Sequence, residues 1–290
     1  MTSEVIITGS GCPRPSAHRA GPGALVRSGG QYLQFDVGRG TVQRLTQAGI
    51  NLADITAVFI THHHSDHLVG LPDLVMTRWI MDSADTSDPL PIIAPQGPAA
   101  DFVRHMLDVW AADLTTRKGH TGRSVGPRYE VIEFSVANKP QMVWEHDGVS
   151  VFAGQVCHEP VRPAVGFRIE TPDGTVAITG DTKVCNEVAE LAERADVLVY
   201  EAMRFEPIQQ LPPHRQFILD YHADTRLIGK QANELGIAKL ILTHLIPEPQ
   251  TDEDRAAYEA DIRAGGFAGD LIIADDLDSV TLDRPNGGTP

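Results

Sequence analysis

The chain has 290 residues, 42% of them apolar, and carries 39 acidic against 24 basic side chains for a formal charge of −15. That is enough for one large domain or two smaller ones with an ordinary core, and no run reaches the roughly 20 apolar residues that a membrane span needs. The negative balance, with Arg117-Lys118 and Arg123 as the densest basic patch, argues against a tight grip on nucleic acid, which takes several phosphate-neutralising cations.

In chain order, the opening Met1-Thr2-Ser3-Glu4 has no basic segment and no leading apolar core, so it does not read as a signal peptide. Residues 5–8, 24–26 and 32–35 are predicted short strands separated by Gly/Pro turns. Residues 41–48 are predicted helical, with Val42, Leu45 and Ala48 at helix spacing and Gly49 just past the end. The pattern then predicts a helix over 68–81, a strand over 89–94 and a helix from 98 to about 114. Four Gly/Pro and several charges make 115–128 a predicted mobile loop. Strands follow at 131–134, 142–145 and 149–156. A hairpin joins 165–170 to 175–179 around Pro172-Asp173-Gly174. Helices at 186–192, 224–235 and 252–264 alternate with strands at 196–200 and 239–243, and 283–290 is predicted disordered. The whole reads as a single α/β domain over 1–282 with a helical insertion at about 76–128.

Chemistry concentrates in Thr61-His62-His63-His64-Ser65-Asp66-His67, an H-x-H-x-D-H run after the apolar Ala57-Val58-Phe59-Ile60. Residues two apart on an extended chain share a face, so His62 and His64 point together while Asp66 and His67 reach back from the turn. Imidazole nitrogens and a carboxylate brought to one small volume suit a borderline-soft divalent metal. Four other strand-like runs also end in a potential ligand or acid/base group: 149–156 before His158, 176–179 before Asp181, 197–200 before Glu201, and 240–243 before His244. Groups gathered at strand ends mark functional sites in sheet proteins flanked by helices.

Other residues read more plainly. Cys12, Cys157 and Cys185 lie far apart with no C-x-x-C, which fits a reducing cytoplasm, and Cys157 is expected to pack inward as a small apolar residue. Gly9-Ser10-Gly11 is not a nucleotide fingerprint, because Pro13 and Pro15 follow and no helix opens there. Asp224 is the expected N-cap of its helix. Trp79 and Trp110 are expected to pack helices or wall a pocket.

The H-x-H-x-D-H run, the lone His158, Gly180-Asp181-Thr182 and Thr243-His244 resemble the metallo-β-lactamase superfamily. Within it, Thr8-Gly9-Ser10-Gly11, Phe35-Asp36-Val37-Gly38-Arg39-Gly40-Thr41 and the run from Asp66 to Leu74 are similar to the tRNase Z-like branch, while Leu74 to Trp79 looks closer to its arylsulfatase-type members. The resemblance covers about residues 4–250. It implies an αββα sandwich of two mixed sheets flanked by helices, and two divalent metals, zinc first and manganese or iron as alternatives. It implies His62, His64 and His158 around one metal, Asp66, His67 and His244 around the other, Asp181 bridging, and water activated between the metals as nucleophile. By the same resemblance, Glu201 orients His222 as general acid, Asp66 belongs to the catalytic group, and Asp36 supports the site from behind. Relatives are often homodimers.

Two departures shape the expected substrate. The arm with which tRNase Z enzymes grip tRNA should lie between His158 and Asp181, which are only 23 residues apart here, and Arg39 replaces an acidic residue usual in its segment. With the charge of −15, these point to a cytoplasmic hydrolase of small phosphodiester or aryl sulfate ester substrates, with nucleic acid and membrane as unexpected partners. The alternatives are tRNA 3′ processing, lactone or β-lactam ring opening, and a non-catalytic metal-binding module.

Overall fold

Alternation within the strands dictates the architecture. The computed structural model describes residues 2–82 and 86–282. In strand β1 (Glu4–Gly9), Val5 and Ile7 enter one apolar cluster and Ile6 another. Strand β4 (Ile55–Phe59) divides likewise, Ala57 and Phe59 against Val58. A strand apolar on both faces has to be covered on both.

The remaining strands are β2 (Gly23–Ser28), β3 (Gln31–Phe35), β5 (Leu90–Pro95), β6 (Tyr129–Phe134), β7 (Gln141–His146), β8 (Val149–Gln155), β9 (Val165–Thr171), β10 (Gly174–Ile178), β11 (Val197–Met203), β12 (Lys239–Ile246), β13 (Asp270–Ile273) and β14 (Ser279–Thr281). They form two mixed seven-stranded sheets, ordered β14-β1-β2-β3-β4-β5-β6 and β13-β12-β11-β10-β9-β8-β7. The run β3 to β6 is parallel, as is β10 to β13. The inner faces meet in a core where Phe35 and Phe59 stack at 4.8 Å and Phe167 of the opposite sheet lies 5.5 and 5.6 Å from them. The outer face of the first sheet is covered by helices Thr41–Gln47, Leu71–Met81 and Pro98–His105. Helices Asn186–Leu191, Thr225–Glu234 and Asp252–Ala264 cover the second. This is the αββα sandwich expected from the sequence.

The differences have local causes. The helix expected over 68–81 is two helices, Ser65–Leu68 and Leu71–Met81, parted at Gly70 with Pro72 in the first turn of the second. Residues 115–128 are not all loop: helix Ala111–Thr121 runs through Gly119, braced by the Arg117–Asp113 ion pair at 2.8 Å, and stops at Gly122. Within 76–128 the described residues hold the end of helix Leu71–Met81, then helices Pro98–His105 and Ala111–Thr121 with a short 3-10 turn at Asp108–Trp110, and also β5, which lies in the sheet between β4 and β6. Strands β13 and β14, four and three residues long, are too short to show a period. The tail expected to be disordered, 283–290, lies outside the described residues. Among the described residues, no helix is long and apolar enough to cross a membrane.

Strands β3 and β4 of the first sheet, and β8, β10, β11 and β12 of the second, discharge their chain ends at one edge of the sandwich. That edge holds the site. Between His158 and Asp181 the chain makes only the β9–β10 hairpin.

Candidate metal centre

The loop after β4 is braced before it reaches any ligand. Asp36, at the end of β3 with φ 53°, accepts hydrogen bonds from the Thr61 amide at 2.9 Å, the Thr61 hydroxyl at 2.7 Å and His67 Nδ1–H at 2.7 Å. A non-glycine residue in that left-handed region carries strain that the surroundings must offset. Below the loop, backbone crosses backbone: Val37 N–H donates to the His67 carbonyl at 2.8 Å and Gly70 N–H to the Val37 carbonyl at 2.9 Å. A Cβ on Gly38 would meet the Gly21 carbonyl carbon at 2.3 Å, and one on Gly70 the Gly38 oxygen at 2.2 Å.

These bonds also fix proton positions. The Thr61 hydroxyl gives its hydrogen to Asp36, so at 2.9 Å it accepts from His62 Nδ1–H. His67 gives its Nδ1–H to Asp36, and His158 gives its Nδ1–H to the Tyr221 carbonyl at 2.9 Å. Each ring thereby turns its Nε2 to the site side, and in the neutral ring that is the tautomer a metal needs.

The sequence-predicted donors do converge. One donor atom from each of His62, His64, His158 and Asp181 lies within 4.8 Å of the others, and the same holds for Asp66, His67 and His244. Asp181 joins the two groups. Its Oδ2 is 3.4 Å from His244 Nε2, 3.8 Å from His158 Nε2 and 3.9 Å from His62 Nε2, and its Oδ1 is 3.3 Å from His67 Nε2. His244 sits at φ 48° in the left-handed region, a second strained residue at a strand end.

Whether this set fits a cation is answered by what it leaves unpaired. His62 Nε2, His67 Nε2 and Asp181 Oδ1 are buried without a hydrogen-bond partner. Orphaned buried polar atoms are costly, and here they face one volume. Electrostatics agree. Burial holds His62 well below the ordinary imidazole value and His64 and His158 below it, so these rings are neutral. Burial works against Asp181 too, but the rings of His244 and His67 outweigh it and hold the carboxyl well below its usual range. Burial also opposes charge on His67, yet Asp181 and Asp36 raise it well above the ordinary value. The pocket calls for positive charge, and a divalent cation supplies it. The donors fit divalent metal.

Glu201 and His222 form a separate pair. His222 Nδ1–H donates to Glu201 Oε1 at 2.8 Å, and the same oxygen accepts from the Thr182 amide at 3.0 Å. Burial acts to lower His222, but Glu201 outweighs it and raises the ring to about 9. The ring lies 5.4 Å from His244 and 5.5 Å from His158 between centroids. At neutral pH it is a protonated donor at the edge of the cluster, which is what a general acid requires.

Other expectations fare variously. Asp224 is the N-cap, accepting from the Arg226 amide at 2.7 Å. Trp79 is buried, with the Arg123 guanidinium 5.0 Å from its ring centre, whereas Trp110 is 47% exposed and lines a groove with His63. Cys157 does not pack inward: it is half-buried, and its thiol donates to Glu187 at 3.4 Å. Arg39 donates to the carbonyls of Cys12, Pro13 and Arg14, tying down the loop beside His222. That loop and the segment before His222 wall a cleft of about 820 Å³ that includes Arg14, Arg215, Phe217, Tyr221 and His222. The sequence did not single out Thr61, Thr182 or the Tyr221 carbonyl, because hydroxyls and backbone groups acquire these tasks only through the fold.

The beta-lactamase superfamily domain model matches residues 33–245. A ribonuclease Z from Mycolicibacterium gilvum is 38% identical over 283 residues, covering 96% of each chain. The metallo-β-lactamase fold protein YhfI from Bacillus subtilis superposes with a TM-score of 0.74 at 20% identity, over 97% of this chain and all of its own. The short form of human tRNase Z gives 0.71 at 21% identity, again over 97% and 100%. These findings overturn two expectations, the small phosphodiester or aryl sulfate substrate and the exclusion of nucleic acid: it is ribonuclease Z that this chain matches end to end. Net charge is a poor guide to the partner here for a physical reason. Exposed charges beyond about 8–10 Å are largely screened, so a total of −15 does not set the local field beside Arg14 and Arg215. The donor set and the matches support a metal-dependent hydrolase, and the chain belongs to the metallo-β-lactamase superfamily, in its tRNase Z-like branch.

Proposed function

We propose that the protein is a metal-dependent endoribonuclease that cleaves a phosphodiester near the 3′ end of tRNA precursors. The carrying observation is the end-to-end match to ribonuclease Z at 38% identity, and the site chemistry is consistent with it. We assign His62, His64 and His158 to one divalent ion, Asp66, His67 and His244 to a second, and Asp181 to both, with zinc as the first candidate for this nitrogen and oxygen set. When bound, such ions supply Lewis-acid charge and lower the pKa of water to about 7.

The rest falls to the chain. Asp36 and Thr61 fix the imidazole tautomers. Glu201 holds His222 protonated and aimed at the site, so His222 delivers a proton to the departing ribose oxygen. A phosphodiester needs that proton, because an alkoxide is a poor leaving group. Arg14 and Arg215 in the cleft beside His222 offer charge to phosphates, and the exposed Phe217 ring offers a face for a base. With the arm absent, this cleft is where we place the RNA.

The test is incubation of metal-loaded protein with a 3′-extended tRNA precursor, with chelator as control. A single chelator-sensitive cut near the end of the acceptor stem supports the reading. An inert precursor beside rapid hydrolysis of an aryl ester would overturn it.

A further inference from the structure

We propose that Cys157, Cys185 and Glu187 form an accessory site for a thiophilic divalent cation, separate from the histidine–carboxylate centre. Their donor atoms all lie within 4.8 Å of one another, and Cys157 Sγ is 3.4 Å from Glu187 Oε2. Around a tetrahedral zinc ion, a sulfur and an oxygen donor stand about 3.5 Å apart and two sulfurs about 3.8 Å, from bonds of roughly 2.3 and 2.0 Å. The Cys157–Glu187 pair is already at that spacing, and Cys185 completes the trio within 4.8 Å. All three residues are half-buried, so the donors are reachable and solvent can complete the shell.

The backbone beneath the trio is fixed. Cys157 N–H donates to Thr182 Oγ1 at 3.0 Å and its carbonyl accepts from Lys183 N–H at 2.8 Å. The Cys185 carbonyl accepts from Gln231 Nε2 at 2.7 Å, and the buried Tyr200 hydroxyl donates to Gln231 Oε1 at 3.0 Å. Among the described residues, Glu187 has no Lys, Arg or His partner within salt-bridge distance. A thiol is a weak donor to a carboxylate, so a hydrogen bond alone accounts poorly for two sulfurs and a carboxylate set together. Binding displaces two thiol protons to solvent and leaves a thiolate–carboxylate complex, with no change in oxidation state.

The position matters for the main centre. Cys157 directly precedes His158, and Cys185 follows Asp181 by four residues. A cation here ties together the two loops that deliver those donors. Nothing in this proposal depends on the RNA reading, because its test does not use activity.

Metal-free, reduced protein is titrated with cobalt(II), with bound metal measured directly. The main centre offers only nitrogen and oxygen, so thiolate-to-cobalt charge-transfer absorption reports the accessory site alone. The expected result is that absorption in the unaltered chain, its loss in Cys185→Ser and weakening in Glu187→Gln, and one fewer cobalt equivalent in Cys185→Ser. Because Cys157→Ser neighbours a main-centre donor, Cys185→Ser is the deciding variant, with circular dichroism as the check on its fold. Cobalt bound with no charge-transfer absorption overturns the proposal. So does absorption surviving in Cys185→Ser, which would assign it to Cys12, or a thiol count on unreduced protein showing that Cys157 and Cys185 are joined as a disulfide.

Discussion

The first sheet delivers its donors within six residues, His62 to His67 on the single loop after β4, whereas the second delivers His158, Asp181, Glu201 and His244 one at a time from the ends of β8, β10, β11 and β12. Bracing follows the same division. Asp36 holds the first loop through Thr61 and His67. On the other side the braces run between separate chain segments, Thr182 N–H to Glu201 on β11 and His158 to the carbonyl of Tyr221, which caps a 3-10 helix. A compact loop carries its own scaffolding, while a dispersed set borrows its geometry from the register of a sheet. Damage to the first should stay local, and damage to the second should spread.

The sharpest way to break this contrast is Asp181→Ala. Asp181 is the donor carboxylate that reaches rings of both groups, so precursor cleavage should fall by about 10³-fold, the scale of losing a principal electrostatic group, with bound metal per chain falling too. Unchanged metal content and rate would remove it from the shared position. Next is His222→Ala, expected to cost about 10²–10⁴-fold, as for a lost general acid, while metal content holds. The pH profile tests the same residue. With the ring raised to about 9, cleavage by the unaltered protein should decline above about pH 9, and that limb should vanish in the variant. The stability linkage has the matching sign: the folded value lies above the unfolded 6.5, so the stabilisation is complete below pH 6.5 and is lost as pH rises through 9. A midpoint that instead rose over that range would contradict the Glu201–His222 pairing.

On the compact side, Asp36→Asn should lower metal affinity or rate by about 10–100-fold, as for other residues that orient ligands from behind, without changing the number of metals bound at saturation. The smallest effect should come from His63→Ala. His63 lies inside the histidine run but faces the groove beside Trp110, so stability should move by no more than roughly 0.5 kcal/mol and metal content should not change. A loss of metal there would mean that the alternation along the loop had been misread.

The same division explains what could be read without a structure. The compact donors announce themselves, because His62, His64, Asp66 and His67 are adjacent and follow an apolar run. His158, Asp181 and His244 are legible only as strand-end residues that make sense beside that run, and the Glu201–His222 pair only through resemblance. Cys157 and Cys185, 28 residues apart, could not be seen as neighbours, since only the clipping of two strand-end loops brings them together. Substrate class was misjudged from whole-chain charge, a quantity that averages over distances across which salt screens the field. The alternation of helices and strands was legible in the sequence and the sandwich itself through the resemblance; β13 and β14 were not, because three or four residues do not establish a period.

The crossing of backbones at Gly38 and Gly70 bears on how a map of tolerated substitutions would look. Neither glycine has a side chain to offer chemistry, yet a methyl group on either would collide with main-chain atoms that cannot step aside. The loop that presents His67 would be lifted as a unit. Alanine at these positions should therefore score like the loss of a ligand, and a scan by function alone would mark as catalytic two residues whose whole contribution is to occupy no space.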